Sequence, residues 1–186
     1  MAKLIYLMQT SLDGYVEDAQ GDFGWTAPDK EINGYINDFT SSIGTYLYGR
    51  NMYDSMVFWE KDYADHDLPQ FSLDYARIWQ AAEKIVYSST LAEPRSVWTR
   101  IEREFDPDAV RRLKADAERD ISINGPGLAA HALRAGLVDE VRLFIHPIIV
   151  GGGKRFFPDG VRSKLELIEE RAFSNEIVAV RYAVRG

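Results

Sequence analysis

A glycine turn in the C-terminal half of the chain has the residue types that most clearly suggest chemistry. It lies between a predicted strand, 121–123, and a predicted helix, 128–135, and consists of Asn124, Gly125, Pro126, Gly127 and Leu128. Such a turn exposes backbone N–H groups at the positive end of a helix, where a phosphate can bind. A plain turn at a helix start is the alternative interpretation. The spacing also fits G-x-G-x-x-A, but the acidic residue expected about 20 residues later in the doubly wound dinucleotide fold is missing.

Two more groups that suit a phosphate follow predicted strands. Gly49 and Arg50 follow the predicted strand 45–48, and the strand 84–87 is followed by Ser88, Ser89 and Thr90. Open α/β sheets bind ligands at the carboxyl ends of their strands, and an arginine fork can hold two phosphate oxygens. We therefore predict that these groups share one anion site with the glycine turn. An ordinary surface arginine and strand-ending hydroxyls are the alternative.

Three carboxylates are candidates for handling a proton in a pocket. Asp13 follows the first predicted strand and is the first candidate, and Asp29 and Glu31 come second. Asp13 precedes Gly14, so a turn aspartate is the alternative interpretation. Flat rings for stacking on a substrate are offered by Tyr15, Trp25 and Trp59, any of which could instead belong to the core.

Several kinds of chemistry are excluded by composition. The 186 residues contain no cysteine, so no disulfide or thiolate site exists, and the three histidines lack metal-ligand spacing, so no metal is predicted. The segment 151–154 fails as a phosphate loop because position 148 is Ile and position 155 is Arg. A net charge of −7 argues against general nucleic-acid binding. No run of about 18 apolar residues exists, so we expect no membrane span. The absence of cysteine is compatible with a reducing compartment, and we expect a cytoplasmic location.

The predicted elements alternate between strands and helices along a single domain, residues 1–186. Strands are predicted over 3–10, 45–48, 84–87, 97–101, 121–123, 141–150, 165–171 and 177–184. Helices are predicted from Pro28, over 75–82, from Asp106-Pro107 and over 128–135, with a surface excursion over 59–73. This alternation predicts an α/β sheet with helices on both faces, and the last two strands, without a helix between them, predict an antiparallel edge.

Together, these motifs resemble the dihydrofolate reductase-like proteins, specifically the reductase domain of bacterial riboflavin biosynthesis, the RibD C-terminal type. The resemblance is carried by SLDGYV, YLYGRNMYDSM, KIVYSSTL and INGPGLAAHALRAGLVDEVRLFIHPIIVGGGKRFF, and it covers nearly the whole chain. It implies a three-layer α/β/α fold with a central, mostly parallel eight-stranded sheet and an antiparallel C-terminal hairpin.

The resemblance also implies NADPH as the hydride donor. Arg50 with Ser88 and Ser89 would meet the 2′-phosphate, the turn 124–128 would cradle the pyrophosphate, and the loop 13–25 would cover the nicotinamide beside residues 151–157. The implied cofactor site further includes Gly49, Asn51, Met52 and Thr90. Dihydrofolate reductases carry a cis Gly-Gly bond in the corresponding turn, so we expect a cis Gly125–Pro126 bond.

The resemblance is not complete at the first helix, where dihydrofolate reductases carry a pocket carboxylate. Asn33 is the nearest equivalent here, and an amide cannot ionise, which argues against folate reduction itself. The zinc residues of the deaminase fused to riboflavin reductases are missing as well, so a stand-alone paralogue is expected.

The sequence therefore predicts an NADPH-dependent reductase. It would transfer hydride to a C=N or C=O bond of a pterin-like or ribosylaminopyrimidine-like substrate, as dihydrofolate reductase or 5-amino-6-(5-phosphoribosylamino)uracil reductase does. A homodimer is expected, because related domains commonly pair. The alternative is a catalytically inactive ligand-binding or structural homodimer that retains the fold.

Overall fold

A central sheet of eight strands organises the chain in the computed structural model, which describes residues 1–26 and 29–185. The strands of the chain are β1 (Leu4–Ser11), β2 (Tyr15–Glu17), β3 (Ile43–Gly49), β4 (Glu83–Tyr87), β5 (Thr99–Glu102), β6 (Asp120–Asn124), β7 (Glu140–His146), β8 (Lys154–Arg155), β9 (Lys164–Ala172) and β10 (Val178–Arg185). The order in the main sheet is β5-β4-β3-β6-β1-β7-β10-β9, and β2 pairs with β8 in a separate small sheet.

The main sheet is parallel except for β10, which runs antiparallel to both β7 and β9. The pairs Ser11↔His146, Tyr48↔Asn124 and Gly49↔Tyr87 place the carboxyl end of β1 beside that of β7, and the carboxyl end of β3 beside those of β6 and β4. The carboxyl ends of β1, β3, β4, β6 and β7 therefore meet at one edge of the sheet. This is the edge where open α/β sheets bind ligands.

Helices cover both faces of the sheet. They are α1 (Lys30–Thr40), α2 (Arg50–Met56), α3 (Gln70–Ala81), α4 (Pro107–Asp116) and α5 (Pro126–Arg134). Buried side chains of α4 and α5 pack with Leu47, Ile123 and Val141 on one face. On the other face, α1 packs against Phe144, while α2 and α3 supply buried side chains to a second cluster around Tyr48. These layers form the α/β/α sandwich.

Helices α1 and α4 start where their sequences supply caps. The Asp29 carboxylate accepts hydrogen bonds from the amides of Glu31 and Ile32, and the Asp106 side chain accepts from the amide of Asp108. A side-chain cap of this kind stabilises a helix by roughly 1 kcal/mol. Pro107 at the first position of α4 needs no N–H partner, which suits a helix start.

The structure confirms the predicted α/β/α fold, the eight-stranded sheet and the antiparallel hairpin. Several local predictions differ, among them the bounds of the strand predicted over 97–101, which is β5 (Thr99–Glu102), and of the helix predicted over 128–135, which is α5 (Pro126–Arg134). Helix α3 begins at Gln70, inside the predicted excursion 59–73. Strand β7 ends at His146, because Pro147 has no N–H to continue the ladder. Helix α1 starts at Lys30, and the predicted starting residue Pro28 lies outside the described residues.

The expected cis bond at the glycine turn is wrong. The Gly125–Pro126 bond is trans. Gly125 adopts φ +95°, a conformation that glycine reaches without steric cost, and this residue supplies the sharp change of direction between β6 and α5. Pro126 then opens α5 at its first position with the φ that a helix requires.

The small sheet of β2 and β8 is locked by a close backbone approach at Gly153. This residue has φ +131°, and an added Cβ would overlap the Glu17 carbonyl oxygen and the Asp18 backbone. Nearby, the Tyr6 ring stacks on Phe156 with centroids 4.1 Å apart, and the Tyr6 hydroxyl donates to the Phe156 carbonyl at 3.0 Å. The segment around Gly153 and Phe156 is thereby fixed to β1 at Tyr6 and to the end of β2.

We expect Gly153→Ala to destabilise the protein by about 2 kcal/mol, because it adds backbone strain and a clash with backbone atoms that cannot move aside. Gly152→Ala is the matched control, since an added Cβ there meets nothing within 4 Å and its φ is not in the left-handed region. Urea unfolding of both variants measures the difference. Equal stability of the two variants would contradict the close approach at residue 153.

Candidate functional site

A cleft of about 420 Å³ lies at the carboxyl edge of the sheet, beside the start of α5. It is lined by Gly49, Tyr87, Ser88, Ser89, Arg103, Glu104, Phe105, Gly127, Leu128 and His131. Five of the residues predicted to bind a cofactor therefore share one cavity, namely Gly49, Ser88, Ser89, Gly127 and Leu128. They come from three separate strand ends, as the parallel register requires.

The start of α5 offers free backbone donors to this cleft. Within the described part of the chain, the amides of Gly127 and Leu128 have no hydrogen-bond partner, as is normal for a first helical turn. An added Cβ at Gly127 would meet nothing within 4 Å, and one at Gly49 would lie 3.8 Å from Leu128 Cβ. The turns after β3 and β6 thus touch, and space remains above Gly127 for an anion to reach the amides.

The hydroxyl of Ser88 is oriented by the backbone after β4. Its Oγ accepts hydrogen bonds from the amides of Thr90 and Leu91, at 3.3 and 3.0 Å. Both bonds use the oxygen as an acceptor, so the hydroxyl hydrogen stays available for a ligand. Ser89 and Thr90 are exposed beside it. Two serines at the cleft can therefore donate to a phosphate.

Arg50 follows Gly49 but is not among the residues lining the cleft. Its Nε donates to Asp54 at 2.7 Å, and Arg95 binds the other oxygen of the same carboxylate. Asn51 is exposed, while Met52 packs beneath the glycine turn, with its Cβ 3.4 Å from the position of an added Cβ at Gly125. The predicted guanidinium is thus one residue from the cleft and engaged with a carboxylate.

Arg103 is a cleft residue that the sequence interpretation missed. Its Nη1 donates to the carbonyl oxygens of Ser88 and Leu91, at 3.0 and 2.7 Å, which holds the guanidinium beside the two serines. It follows β5 directly, so the rule that selected Arg50 after β3 could have selected Arg103 as well. The cleft therefore contains a cation of its own.

Aromatic rings form one wall of the cleft. Phe105 lies 5.4 Å from Tyr87 and 5.6 Å from His131, measured between ring centroids. The rings are tilted by 50° and 31° relative to each other. Such a wall can pack against a flat heterocycle. The cavity thus combines helix-start amides, hydroxyls, one guanidinium, the Glu104 carboxylate and an aromatic surface.

Asn124 supports the site from within the sheet. Its Nδ2 donates to the Leu7 carbonyl at 2.9 Å, and its Oδ1 accepts from the Ser122 hydroxyl at 2.9 Å. The side chain is buried and its hydrogen-bonding atoms face these partners. Asn124 therefore fixes the end of β6 to β1, and it presents the glycine turn from a rigid position.

Each of the three carboxylates predicted to handle a proton accepts hydrogen bonds from nearby backbone amides. Asp13 accepts from the amides of Gly151 and Val150, at 2.8 and 3.2 Å. Glu31 accepts from the amide and the hydroxyl of Ser174, at 3.1 and 2.6 Å. Asp29 caps α1.

These hydrogen bonds have electrostatic consequences for two of the carboxylates. The Ser11 hydroxyl and the amides of Gly151 and Val150 hold the pKa of Asp13 below its ordinary value. The Ser174 hydroxyl and amide do the same for the pKa of Glu31. Both side chains are ionised at neutral pH and carry no proton to donate. A direct part in proton transfer stays a prediction for all three carboxylates.

The residues predicted to bind a substrate lie in different places. The Trp25 ring packs edge-on against His146, with centroids 5.3 Å apart. Asn33, in the first turn of α1, donates to the Asp29 carbonyl at 2.7 Å. Tyr15 lies on β2 beside the Arg155 guanidinium, and Trp59 packs edge-on against Tyr75 of α3. Of the predicted rings, Trp25 is the one beside the ends of β1 and β7.

Residues 1–26 and 29–185 contain neither a cluster of metal ligands nor a membrane-spanning helix. No group of three or more His, Cys, Asp or Glu side chains is placed to hold a metal ion there. No helix among these residues is long and apolar enough to cross a membrane.

Comparison with known proteins identifies relatives of this chain. A family model described as the RibD C-terminal domain matches residues 2–179. The uncharacterised protein YyaP of Bacillus subtilis is 30% identical over 186 residues, which cover 99% of this chain and 96% of YyaP.

Solved structures share the fold at lower sequence identity. A putative riboflavin biosynthesis protein from Shewanella has a TM-score of 0.76 with 22% identity, and the match covers 100% of both chains. A dihydrofolate reductase from Enterococcus faecalis, complexed with NADP(H), has a TM-score of 0.62 with 12% identity, and the match covers 99% of this chain and 97% of the reductase.

We expect Asp13→Ala to release the backbone of residues 150–151, because the carboxylate holds both amides. Hydrogen exchange at these two amides should accelerate in the variant. In the unaltered protein the protection should hold at neutral pH and fall in acid. A carboxylate with a lowered pKa stabilises the folded state above its unfolded-state pKa, and this stabilisation is lost as the pH drops through the folded-state value.

Asp18→Ala is the control, since its carboxylate binds amides of its own loop, at Gln20 and Asp22. Unchanged exchange at residues 150 and 151 in Asp13→Ala would refute the assignment.

Proposed function

The chain belongs to the RibD C-terminal domain family, and on this basis we propose that it is an NADPH-dependent reductase. It transfers hydride to a C=N or C=O bond of a pterin-like or ribosylaminopyrimidine-like substrate. The observation that carries the proposal is the cleft at the carboxyl edge of the sheet, where free amides of α5, two serines and Arg103 surround space for phosphates. The dihydrofolate reductase of the same fold was solved with NADP(H), which supports the choice of cofactor.

The residues present fit the parts of this cofactor. The open start of α5 at Gly127 and Leu128 suits a pyrophosphate, which needs close approach to backbone amides. Ser88, Ser89 and the Arg103 guanidinium suit the 2′-phosphate, since hydroxyl and charged donors converge there. The aromatic wall suits the adenine ring. The donor set of the cleft therefore matches a phosphorylated dinucleotide.

Arg50 would provide a second cation that binds the 2′-phosphate. Its ion pair with Asp54 is partly exposed, with 36% and 37% of the two side chains accessible. An exposed pair of this kind is worth about 0.3–0.5 kcal/mol on a helix, so its exchange for a phosphate costs little. Arg95 also binds Asp54 and would keep that carboxylate neutralised when Arg50 turns away.

The chain's own contribution to the reaction is positioning. Bound NADPH supplies the hydride, and the protein holds the two reactants together and limits the access of water. The Gly14 carbonyl accepts from the Phe156 amide at 3.0 Å, and the Asp13 carboxylate binds the backbone at residues 150–151. These bonds hold the start of the loop 13–25 at the edge where the nicotinamide would lie. Asp13, Asp29 and Glu31 are kept as candidates for proton handling, with Asp13 first.

A second candidate function is an inert homodimer that binds a ligand or supports structure without turnover. Two observations favour it. The candidate carboxylates are engaged with backbone donors, and the side chain at position 33 is a neutral amide. The two functions differ in cofactor binding, because an inert dimer has no need to select NADPH.

We further propose that the protein forms a homodimer and is located in the cytoplasm. The edge strand β9 supports self-association, because its apolar side chains Leu165, Leu167 and Ile168 are 42–50% exposed. An edge strand with exposed apolar residues is a surface that another chain can cover. Sedimentation equilibrium of the purified chain measures this, and a monomer at all concentrations would remove the dimer from the proposal.

We expect the protein to bind NADPH with micromolar affinity and to bind NADH at least tenfold more weakly, because only NADPH carries a 2′-phosphate for the serines and the guanidinium. Titration followed by nicotinamide fluorescence measures both affinities. Absence of saturable NADPH binding would leave the inert homodimer as the better explanation.

We expect Arg103→Ala and Arg50→Ala each to weaken NADPH by roughly tenfold or more while changing NADH little, because a hydrogen bond to a charged group contributes about 1.5–3 kcal/mol. Arg112→Ala is the control, since Arg112 pairs with Asp106 on α4 and does not line the cleft. The same fluorescence titration is used. Equal losses for NADPH and NADH in either variant would show that the arginine supports the fold and does not bind the 2′-phosphate.

A further inference from the structure

A second cavity lies at the opposite edge of the sheet from the cofactor cleft. Strands β1 and β7 begin at this edge, and β10 ends there. The cavity has a volume of about 380 Å³ and is lined by Lys3, Asp139, Glu140, Glu166, Ile168, Ala183, Val184 and Arg185. None of these residues lines the cofactor cleft, so the proposed reductase makes no use of this cavity.

The register of the sheet places two glutamates of the cavity on one face. Glu140 of β7 pairs with Ala183 of β10, and Ala183 pairs with Glu166 of β9. Directly paired residues on neighbouring strands share a face, so these three side chains form one row. The methyl group of Ala183 is short and leaves space between the two longer side chains, and Ile168 lines the same space. The cavity therefore has apolar atoms beside charged groups.

The Glu140 carboxylate is buried, and one of its two oxygens is without a hydrogen bond. Only 1% of Glu140 is exposed. Its Oε1 accepts from the Nε atoms of Arg142 and Arg181, whereas Oε2 has no hydrogen-bond partner among the described residues. Burial by itself would raise the pKa of Glu140, but Arg181 and Arg142 hold it below its ordinary value, so the carboxylate is ionised at neutral pH. A buried anionic oxygen without a hydrogen bond is costly, and a donor is needed there.

Lys3 covers this oxygen but holds it loosely. Its Nζ lies 3.5 Å from Oε2 of Glu140. That separation is longer than the roughly 2.7–2.9 Å of a hydrogen bond between an ammonium and a carboxylate. The Lys3 side chain is 55% exposed, so its ammonium can turn away into solvent without leaving the surface. Lys3 therefore gives Glu140 charge balance without supplying the missing hydrogen bond.

The other charged groups of the cavity are already paired. Asp139 accepts from Lys114 at 2.6 Å, and Glu166 accepts from Arg185 at 2.7 Å. Each carboxylate of the cavity thus has a cation beside it. A purely cationic ligand at Glu140 would leave the Lys3 ammonium without a partner, and an anionic ligand at Lys3 would leave the glutamate oxygen without a donor. A ligand that carries both charges satisfies both groups.

We propose that this cavity binds a free α-amino acid with an aliphatic side chain. The ligand's ammonium donates to Oε2 of Glu140 in place of Lys3, and the Lys3 ammonium turns to the ligand's carboxylate. The aliphatic side chain lies against Ala183 and Ile168. The exchange leaves no charge unpaired, because Glu140 and Lys3 each replace their long mutual contact with a hydrogen bond to the ligand. The site is independent of the proposed reductase.

The test compares L-leucine with N-acetyl-L-leucine, which lacks the ammonium, and with L-leucinamide, which lacks the carboxylate. Titrations at about pH 6.5 keep both free amino groups protonated. We expect leucine to bind about tenfold or more tightly than either derivative, because each derivative loses one charged hydrogen bond. Shifts of the backbone amides of residues 183–185 in ¹H–¹⁵N NMR spectra give the affinities and the location. A derivative that binds as tightly as leucine, or no saturable shift with leucine, would overturn the proposal.

Glycine tests the apolar part of the site. It carries both charges but has no side chain to cover Ala183 and Ile168, so it should bind more weakly than leucine in the same titration. Glycine binding as tight as that of leucine would contradict the assignment of an aliphatic ligand.

Substitution of Lys3 separates the two charges of the ligand. Lys3→Met should weaken leucine by about tenfold or more and should not weaken leucinamide, which has no carboxylate for Lys3 to bind. Lys164→Met is the matched control, since Lys164 is exposed at the start of β9 and does not line the cavity. It should leave both affinities unchanged. An unchanged leucine affinity in Lys3→Met, or an equal loss for leucine and leucinamide, would refute the role of Lys3.

Glu140→Gln tests the other charge. The amide keeps the shape of the side chain but removes the anion, so this variant should lose leucine binding. Glu170→Gln, on β9 outside the cavity, is the control and should retain it. Because Glu140 also binds Arg142 and Arg181, circular dichroism checks the fold of the variant, and Lys3→Met decides the outcome if Glu140→Gln is unfolded. Retention of leucine binding in folded Glu140→Gln would overturn the proposal.

Discussion

Parallel pairing of β1 with both β6 and β7 is the constraint on which the rest of this structure depends. The pairs Tyr6↔Ile123 and Ser11↔His146 place the glycine turn on one side of β1 and the histidine on the other. Each side chain on a strand points to one face of the sheet. A shift of one residue in the pairing of β1 with its neighbours would therefore move Met8 away from the glycine turn and Gln9 away from His146. The positions of the glycine turn beside the cleft and of the hydrogen-bonded pair Gln9 and His146 therefore depend on the same backbone hydrogen bonds of β1.

The two faces of the sheet differ in electrostatic character at this edge. On the α5 face, helix-start amides and the Arg103 guanidinium lie beside the Glu104 carboxylate, in a chain with a net charge of −7. On the α1 face, the side chains at the strand ends are a neutral imidazole and a neutral amide. The carboxylates of Asp13, Asp29 and Glu31 each accept a hydrogen bond from a backbone amide. The helix-start amides and Arg103 therefore lie on the opposite face of the sheet from the imidazole of His146 and the amide of Gln9.

Much of the fold followed from local sequence patterns, because turn and cap residues act over a few positions. The Asp106-Pro107 start of α4 and the turn at residue 125 needed no tertiary information. Other features of the structure depend on tertiary contacts. The bond of Glu31 to Ser174, 143 residues away, and the placement of Arg103 beside Ser88 depend on contacts between segments that are separate in the sequence. His146 was seen as a strand residue, but its partner Gln9 lies 137 residues earlier, and only the sheet brings them together.

The close fit of Gly153 against the backbone at Glu17 and Asp18 has an evolutionary consequence. Two segments far apart in the gene share one surface, and neither can be shortened or lengthened at the contact without a matching change in the other. Length variation among descendants of this chain should therefore concentrate at the outer tip near residue 21, where an added Cβ meets nothing within 4 Å. The paired segments should instead change together, as a single inherited unit.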